Sequence, residues 1–276
     1  MPELPEVETV RRGLLTSLVG ETIERVEILR RDSIAFPSPK EFAKLLPGHS
    51  FSNISRRGKY LLFELSNEAG LAVHLRMSGR LLLTDQDKGD GKFLRVRLVL
   101  NNRQELRFED MRVFGRLWYV HPRSSFEEVI PTLKTLGVEP LEGLSAQTLR
   151  SLFKNRSQSI KSALLNQQII AGLGNIYADE SLFGARIHPL RPANTLTLAE
   201  IRGLATEIEK VLSKAIALGG SSLRDYTDSR GVNGNYQNDA SVYGRHGQSC
   251  RVCGNSIKSL RIVGRRSTFC PICQEG

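Results

Sequence analysis

Long apolar runs are missing from this 276-residue chain. No stretch approaches the ~18 consecutive apolar residues that a membrane span needs. The N-terminus also lacks the basic start and apolar segment of a secretory signal. These absences point to a soluble, intracellular protein with no membrane partner. No repeat or low-complexity tract is visible. Cysteine is scarce, with four residues, all after position 249. Such clustering argues for one local site rather than a disulfide framework. Acidic residues are outnumbered, 29 Asp and Glu against 39 Lys and Arg, which leaves a formal net charge of +10. The partner that this excess suits is a long polyanion, most simply nucleic acid.

What is present is enough chain for a sizeable core and two domains. Val7, Val10, Leu14 and Leu18 recur at spacings of three and four, which predicts an amphipathic helix over Pro5–Leu18. Pro5 suits its first turn and Gly20 its stop. Pro2 lies just outside the positive end of that helix. Methionine is commonly trimmed before a small residue, and trimming here would expose the secondary amine of Pro2. An α-amino group titrates near ~7.7–8, so a fraction is unprotonated at neutral pH and able to attack a carbon electrophile. The helix dipole favours the neutral amine, and Glu3 and Glu6 oppose it. On these residues alone, an inert start to the chain is the more ordinary reading of Pro2.

From about Thr22 to Val120 the pattern is one of short strands, with Asn101-Asn102 as a hairpin turn. This predicts an antiparallel sandwich or barrel-like domain. Basic or polar islands interrupt it at Arg56–Lys59, His74–Arg80 and Asp110–Gly115. Leu136–Leu141 reads as a linker. Helices are expected over Ser145–Lys154, Ser159–Ile170 and Asn175–Phe183. Thr197-Leu198-Ala199-Glu200 is a capping box that opens a longer helix ending at Gly219-Gly220. Ser221–Ala240 is polar and lacks periodicity, as functional or disordered loops do.

Cys250-x2-Cys253 and Cys270-x2-Cys273 enclose 16 residues, a structural zinc spacing. Four thiolates leave no open position, so the metal would be structural. The intervening residues should form a β-hairpin that exposes Arg265 and Arg266. From Tyr243 onward six Lys and Arg stand against the single acid Glu275, which suits phosphate contact. Ala171–Asn175 separates two helices. Its glycines permit a tight turn, Asn175 could cap the second helix, and that helix start could bind phosphate. A plain helical hairpin fits the same residues. Met77 and Phe114, each near an arginine, are candidate wedges for an unstacked duplex, though either could be core.

Together these residues resemble the bacterial formamidopyrimidine-DNA glycosylases nearly end to end. The resemblance is carried by Pro2–Glu8, Arg57–Tyr60, His74–Gly79, Arg112–Gly115, Gly172–Glu180 and the four-cysteine finger. It implies an α+β chain: an N-terminal antiparallel β-sandwich with an N-terminal helix, a helix–two-turn–helix domain, and a C-terminal β-hairpin zinc finger. The expected domains are 1–135, 136–240 and 241–276. It implies a bifunctional glycosylase and abasic-site lyase of base-excision repair that removes oxidised purines from damaged double-stranded DNA. Pro2 would form the Schiff base, Glu3 would act as acid and base, and Lys59 would contact phosphate and assist elimination. Met77, Arg112 and Phe114 would fill the space left by the flipped nucleotide. His74, Arg95, Arg156 and Lys161 are implied near the DNA, and Asn175 and Arg265 on phosphates beside the lesion. The Ser221–Ala240 loop would close over the base. One structural zinc ion on Cys250, Cys253, Cys270 and Cys273 is expected, in a monomer of the bacterial cytoplasm that associates with the nucleoid through DNA. An organelle is the other compartment left open. Arg95, Asn166 and Arg266-Ser267-Thr268 depart from the family's usual residues.

Two other functions compete. An endonuclease VIII-like relative would prefer oxidised pyrimidines, but such chains usually lack the Arg-x-Phe pattern of Arg112 and Phe114. A non-catalytic zinc-finger protein that binds DNA or RNA fits the charge, but leaves Pro2, Glu3 and Lys59 without a reason to coincide.

Overall fold

The structure, a computed structural model, describes residues 1–86, 89–222 and 226–275. It resolves into two compact units. One comprises Met1–Thr135 with Gly219–Gly234, the other Leu136–Leu218 with Asn235–Gly276.

The first unit begins with helix α1 (Leu4–Leu18). Strands β1 (Ile23–Ile28) and β2 (Ile34–Phe36), the short helix α2 (Pro39–Leu45) and strands β3 (Phe51–Arg57) and β4 (Tyr60–Leu65) follow. After them come β5 (Gly70–His74), β6 (Gly79–Asp85), β7 (Leu94–Leu100), β8 (Gln104–Asp110) and β9 (Arg116–Val120), then the single-turn helices α3 (Phe126–Val129) and α4 (Pro131–Lys134). The strands form a four-stranded sheet, β1-β7-β8-β6, and a five-stranded sheet, β2-β9-β5-β4-β3. Every pairing is antiparallel except β2 with β9. Leu61, Phe63 and Val73 of one sheet share a core with Val96, Leu98, Leu106 and Phe108 of the other. The sandwich closes over α1, whose predicted stripe of Val7, Val10, Leu14 and Leu18 is buried in that same core. Burying four such side chains contributes on the order of 6–12 kcal/mol, enough to hold the helix start firmly.

The second unit contains α5 (Ala146–Phe153), α6 (Ile160–Leu165), α7 (Asn175–Gly184), α8 (Leu198–Ala217), the short α9 (Tyr236–Asp239), and the hairpin of β10 (Lys258–Ile262) with β11 (Arg265–Phe269). The starts of α5, α6 and α8 follow from Ser145, Ser159 and Thr197, whose hydroxyls each accept an amide from the first turn. Glu200 completes the capping box by accepting from the Thr197 amide at 2.7 Å. Helix α6 ends well short of Ile170, where the spacing had placed its end. Asn166 leaves helical geometry at φ −75° and ψ 110°. Its side-chain oxygen accepts from the Gln168 amide at 2.9 Å, a local turn that competes with the helix.

Two further expectations are corrected. Leu136–Leu141 is woven into the unit: Gly137 donates to Gln167 O at 2.8 Å and Val138 forms a parallel bridge with Ile170. The cap of α7 is Gly174, not Asn175, which is the first helical residue. Of the expected Ser221–Ala240 loop, residues 223–225 lie outside the described residues. Around them Asp228 organises a turn by accepting from the Arg230 and Val232 amides, and α9 closes the stretch. Among the described residues no helix is long and apolar enough to cross a membrane.

Candidate active site and nucleic-acid contacts

At the start of α1, Pro2 and Glu3 are buried although the residue before them, Met1, is exposed. The Glu3 amide donates to the Glu6 carboxylate at 2.7 Å. Glu6 is 1% exposed, and its second oxygen accepts from the Ser221 amide at 2.8 Å. The Tyr226 hydroxyl donates to the Glu6 main-chain oxygen at 3.3 Å. Burial, with Glu6 beside it, pushes that phenol far above its ordinary range, so it remains a donor. Gly220 fits here because its φ of +81° lies in the left-handed region and a Cβ would come within 2.9 Å of Glu6 Oε1. One buried carboxylate therefore fixes both the Pro2-Glu3 peptide and the start of the Ser221 loop. While Met1 is attached, the Pro2 nitrogen is an amide without a basic lone pair. Its removal would create a secondary amine at the positive end of a 15-residue helix.

Lys59 occupies the tight turn between β3 and β4, following Gly58 at φ +56°. His74 ends β5, directly across from Tyr60. Its ring meets the Tyr60 ring edge-on at 4.5 Å, and its Nδ1 accepts from the Arg76 amide at 3.0 Å. Burial, then the charges of Arg76 and Lys59, push the His74 pKa down to about 3. The imidazole is neutral, its proton is on Nε2, and that nitrogen is the one able to donate to an anion.

Met77 and Phe114 are 41% and 47% exposed, unusual for large apolar side chains. The Arg112 guanidinium lies 5.0 Å from the centre of the Phe114 ring. Both tips rest on strained backbone: Arg76 has φ +55° and the β-branched Val113 has φ +57°. Such conformations cost about 1–3 kcal/mol each and persist only where their surroundings impose them. The imposing group is Asp110, wholly buried at the end of β8. Its Oδ1 accepts from Ser78 Oγ at 2.5 Å and from the Arg112 amide at 3.1 Å, and its Oδ2 from the Gly115 amide at 2.8 Å. Gly115 packs so closely that a Cβ would sit 2.4 Å from Phe108. Asp110 thus ties the Met77 turn to the Arg112–Phe114 turn. Arg95 backs the same corner, donating to Asp110 O at 2.7 Å and to Lys92 O at 3.5 Å.

In the second unit, Asn175 Nδ2 donates to Arg266 O at 2.8 Å, which joins the start of α7 to the hairpin. Arg265 and Arg266 are exposed beside the turn at Val263-Gly264. Arg156 is half-buried and donates to Leu152 O at 2.8 Å. Lys161 corrects the sequence reading. Its side chain is fully enclosed, with the ammonium 2.7 Å from Asp179 Oδ1 and 2.9 Å from Asn175 O. It braces the interior of the unit. Glu180 is buried beside it and accepts the amides of Ser241, Val242 and Tyr243 at 2.8–2.9 Å. Burial pushes the Glu180 carboxyl up, those amides pull it down, and Asp179 adds to the rise.

The sulfurs of Cys250, Cys253, Cys270 and Cys273 lie within 4.8 Å of one another. The Cys250–Cys273 and Cys253–Cys270 separations are 3.9 and 3.4 Å. A tetrahedron with Zn–S bonds of ~2.3 Å requires sulfurs about 3.8 Å apart. The donor set therefore fits a zinc ion and leaves it no open position.

Sequence reasoning missed Glu6, Asp110 and Asp179 as organising groups. For Asp179 the available signal was an acidic pair on an otherwise largely apolar helix; Glu6 and Asp110 stand among other charged residues and carried no such signal.

The chain is similar to known proteins along its whole length. Residues 1–117 match the formamidopyrimidine-DNA glycosylase N-terminal domain, residues 136–227 the H2TH domain of that glycosylase, and residues 247–276 a zinc finger found in FPG and IleRS. A formamidopyrimidine-DNA glycosylase of Gloeobacter violaceus is 50% identical over 277 aligned residues, covering 99% of this chain and 98% of the relative. Among solved structures, a complex of Lactococcus lactis Fpg with abasic-site DNA is 38% identical with a TM-score of 0.91, covering 99% of this chain and 100% of that one. The wild-type Lactococcus lactis protein with N7-benzyl-Fapy-dG DNA has the same identity and TM-score, with both chains fully covered.

Proposed function

Since the chain belongs to the formamidopyrimidine-DNA glycosylase family, and is a base-excision repair glycosylase with one structural zinc ion on its four cysteines, we propose that it removes oxidised purines through a Schiff base on Pro2. The observation that carries this reading is the buried Pro2-Glu3 step, whose backbone is held at the start of α1 by Glu6. With Met1 removed, the Pro2 nitrogen attacks C1′ of the damaged nucleotide and the glycosidic bond breaks. The base departs with its electron pair and Glu3 manages the proton traffic on the sugar. The amine loses its proton and the C1′–O4′ bond opens, with Glu3 supplying the proton to O4′, which leaves an iminium at C1′. The iminium acidifies the C2′ protons, and loss of one expels the 3′ phosphate by β-elimination. The conjugated iminium so formed acidifies the C4′ proton, and its loss expels the 5′ phosphate by δ-elimination. None of these steps needs a metal-bound water.

The other residues divide into holding and filling. Lys59, neutral His74, Asn175 and Arg265 suit phosphate contact, with Arg95 and Arg156 in supporting positions. Met77, Arg112 and Phe114 suit the space vacated by an extruded nucleotide, with Arg112 placed to read the orphaned base. Damaged double-stranded DNA is the partner, and the setting we propose is the cytoplasm, at the nucleoid.

The test is borohydride trapping with Met1-processed protein on a duplex carrying 8-oxoguanine opposite cytosine, with thymine glycol alongside. A covalent adduct and faster release of 8-oxoguanine are expected. Binding without any trapped adduct would sink the Schiff-base reading, and faster release of thymine glycol would overturn the purine preference.

A further inference from the structure

Helix α7 carries two adjacent acids, Asp179 and Glu180, both buried in a setting that is otherwise largely apolar. Buried charges are costly unless hydrogen bonds and counter-charges satisfy them. Glu180 receives the three amides that lead into the finger. Asp179 receives the hairpin itself. Its Oδ1 accepts from Ser267 Oγ at 2.5 Å, and its Oδ2 from the Thr268 amide at 3.0 Å and Thr268 Oγ1 at 3.2 Å. The counter-charge is Lys161, which also donates to Asn175 O. Asn175 in turn donates to Arg266 O. These bonds close a ring from α6 through α7 to β11 and back to the first residue of α7.

The ring and the zinc site fix different things. The four cysteines join the two knuckles of the finger to each other. They do not set where the Arg265 end of the hairpin lies on α7. The bonds to Ser267 and Thr268, the residues next to Arg265-Arg266, do set it.

We propose that Asp179 is a positioning residue that registers the β10–β11 hairpin on α7, so that Asn175 and Arg265 meet adjacent phosphates as one pre-assembled clamp. This rests on the phosphate-binding reading of those two residues. Asp179 touches neither DNA nor the reacting atoms. Its effect is to order the clamp before binding, which removes an ordering cost from association. Loss of that order weakens phosphate contact and leaves the chemical step at Pro2 intact.

The experiment compares zinc-loaded wild-type protein with Asp179→Asn and Ser267→Ala. The second variant leaves the Lys161–Asp179 pair in place and guards against a folding failure in the first. For both, retained zinc and a single-turnover rate at saturating DNA close to wild type are expected. Dissociation constants should rise about tenfold for Asp179→Asn and less for Ser267→Ala. The slope of log Kd against log salt should fall by roughly one for Asp179→Asn. An unchanged affinity and salt slope in both variants would overturn the proposal. So would equal losses of zinc and saturating rate in Ser267→Ala, because they indicate a structural role alone. Amide exchange at Thr268 in the DNA-free protein judges the mount separately. Faster exchange in Asp179→Asn supports it and unchanged exchange overturns it, even if wild-type protein fails to trap on lesion DNA.

Discussion

Replacing Asp110 with asparagine should dismantle the corner that carries Met77 and Phe114 while leaving its volume unchanged. The carboxylate accepts on both oxygens: Ser78 Oγ and the Arg112 amide on one, the Gly115 amide on the other. An asparagine offers one accepting oxygen, and its NH2 must face a donor whichever way it turns. One charge-assisted bond is lost and one buried donor is left facing another. The expected cost is about 2–3 kcal/mol, with no added cavity term because the side chain is nearly isosteric. For a unit of this size that corresponds to a drop of roughly 4–12 °C in Tm. The left-handed conformation of Val113 is held by the same bonds, so the Arg112–Phe114 turn should relax. If all of the lost order is felt in the transition state, kcat/KM on an 8-oxoguanine–cytosine duplex falls by at most about 30- to 150-fold. Scanning calorimetry and single-turnover excision measure the two effects. A variant with the parent's Tm and the parent's kcat/KM would refute the reasoning, since it would show that the Met77 and Arg112–Phe114 turns hold their shape without the carboxylate.

His74 makes a pH prediction. Its folded pKa is pushed down to about 3, against ~6.5 in the unfolded chain. Between those values the unfolded chain binds a proton that the folded chain excludes, so stability declines as pH falls from about 6.5 and levels off near 3. The slope from this group is at most about 1.4 kcal/mol per pH unit. Urea midpoints from pH 7 to 5 should therefore converge between wild type and His74→Gln, and parallel profiles would contradict the neutral buried imidazole. Zinc removal makes another. Structural zinc sites bind with roughly 10–16 kcal/mol of apparent free energy that is also folding free energy. A chelator should unfold the finger, abolish tight lesion-DNA binding and flatten its salt dependence, leaving the sandwich folded. Full binding by demetallated protein would count against the finger as a DNA contact.

Much of the architecture was legible in the residues. The stripe of α1 and the capping box of α8 are local patterns, and the structure has both. The cysteine spacing brought four sulfurs together as expected. Met77 and Phe114 were left between wedge and core by the residues, and the structure exposes both. The failures have a shared cause. Helix α6 was drawn too long because Asn166 ends it through its own side chain, a local competition that apolar spacing does not register. Lys161 was placed near the DNA by the resemblance alone, and its enclosure against Asp179 is not marked in the neighbouring residues. In six residues of helix, periodicity does not say which face is enclosed.

The sequence by itself determined the strand-rich pattern, the starts of α5, α6 and α8, the zinc knuckles and the N-terminal Met1-Pro2-Glu3 order, because each is written in residues close together along the chain. Only the tertiary structure decided which carboxylates organise the site. Glu6 receives an amide from Ser221, 215 positions away, and Asp179 receives one from Thr268, 89 positions away. Every residue except proline carries the same N–H, so nothing in the sequence marks the amide that will arrive. Folding brings those amides to buried acids, and the desolvated charges hold them there.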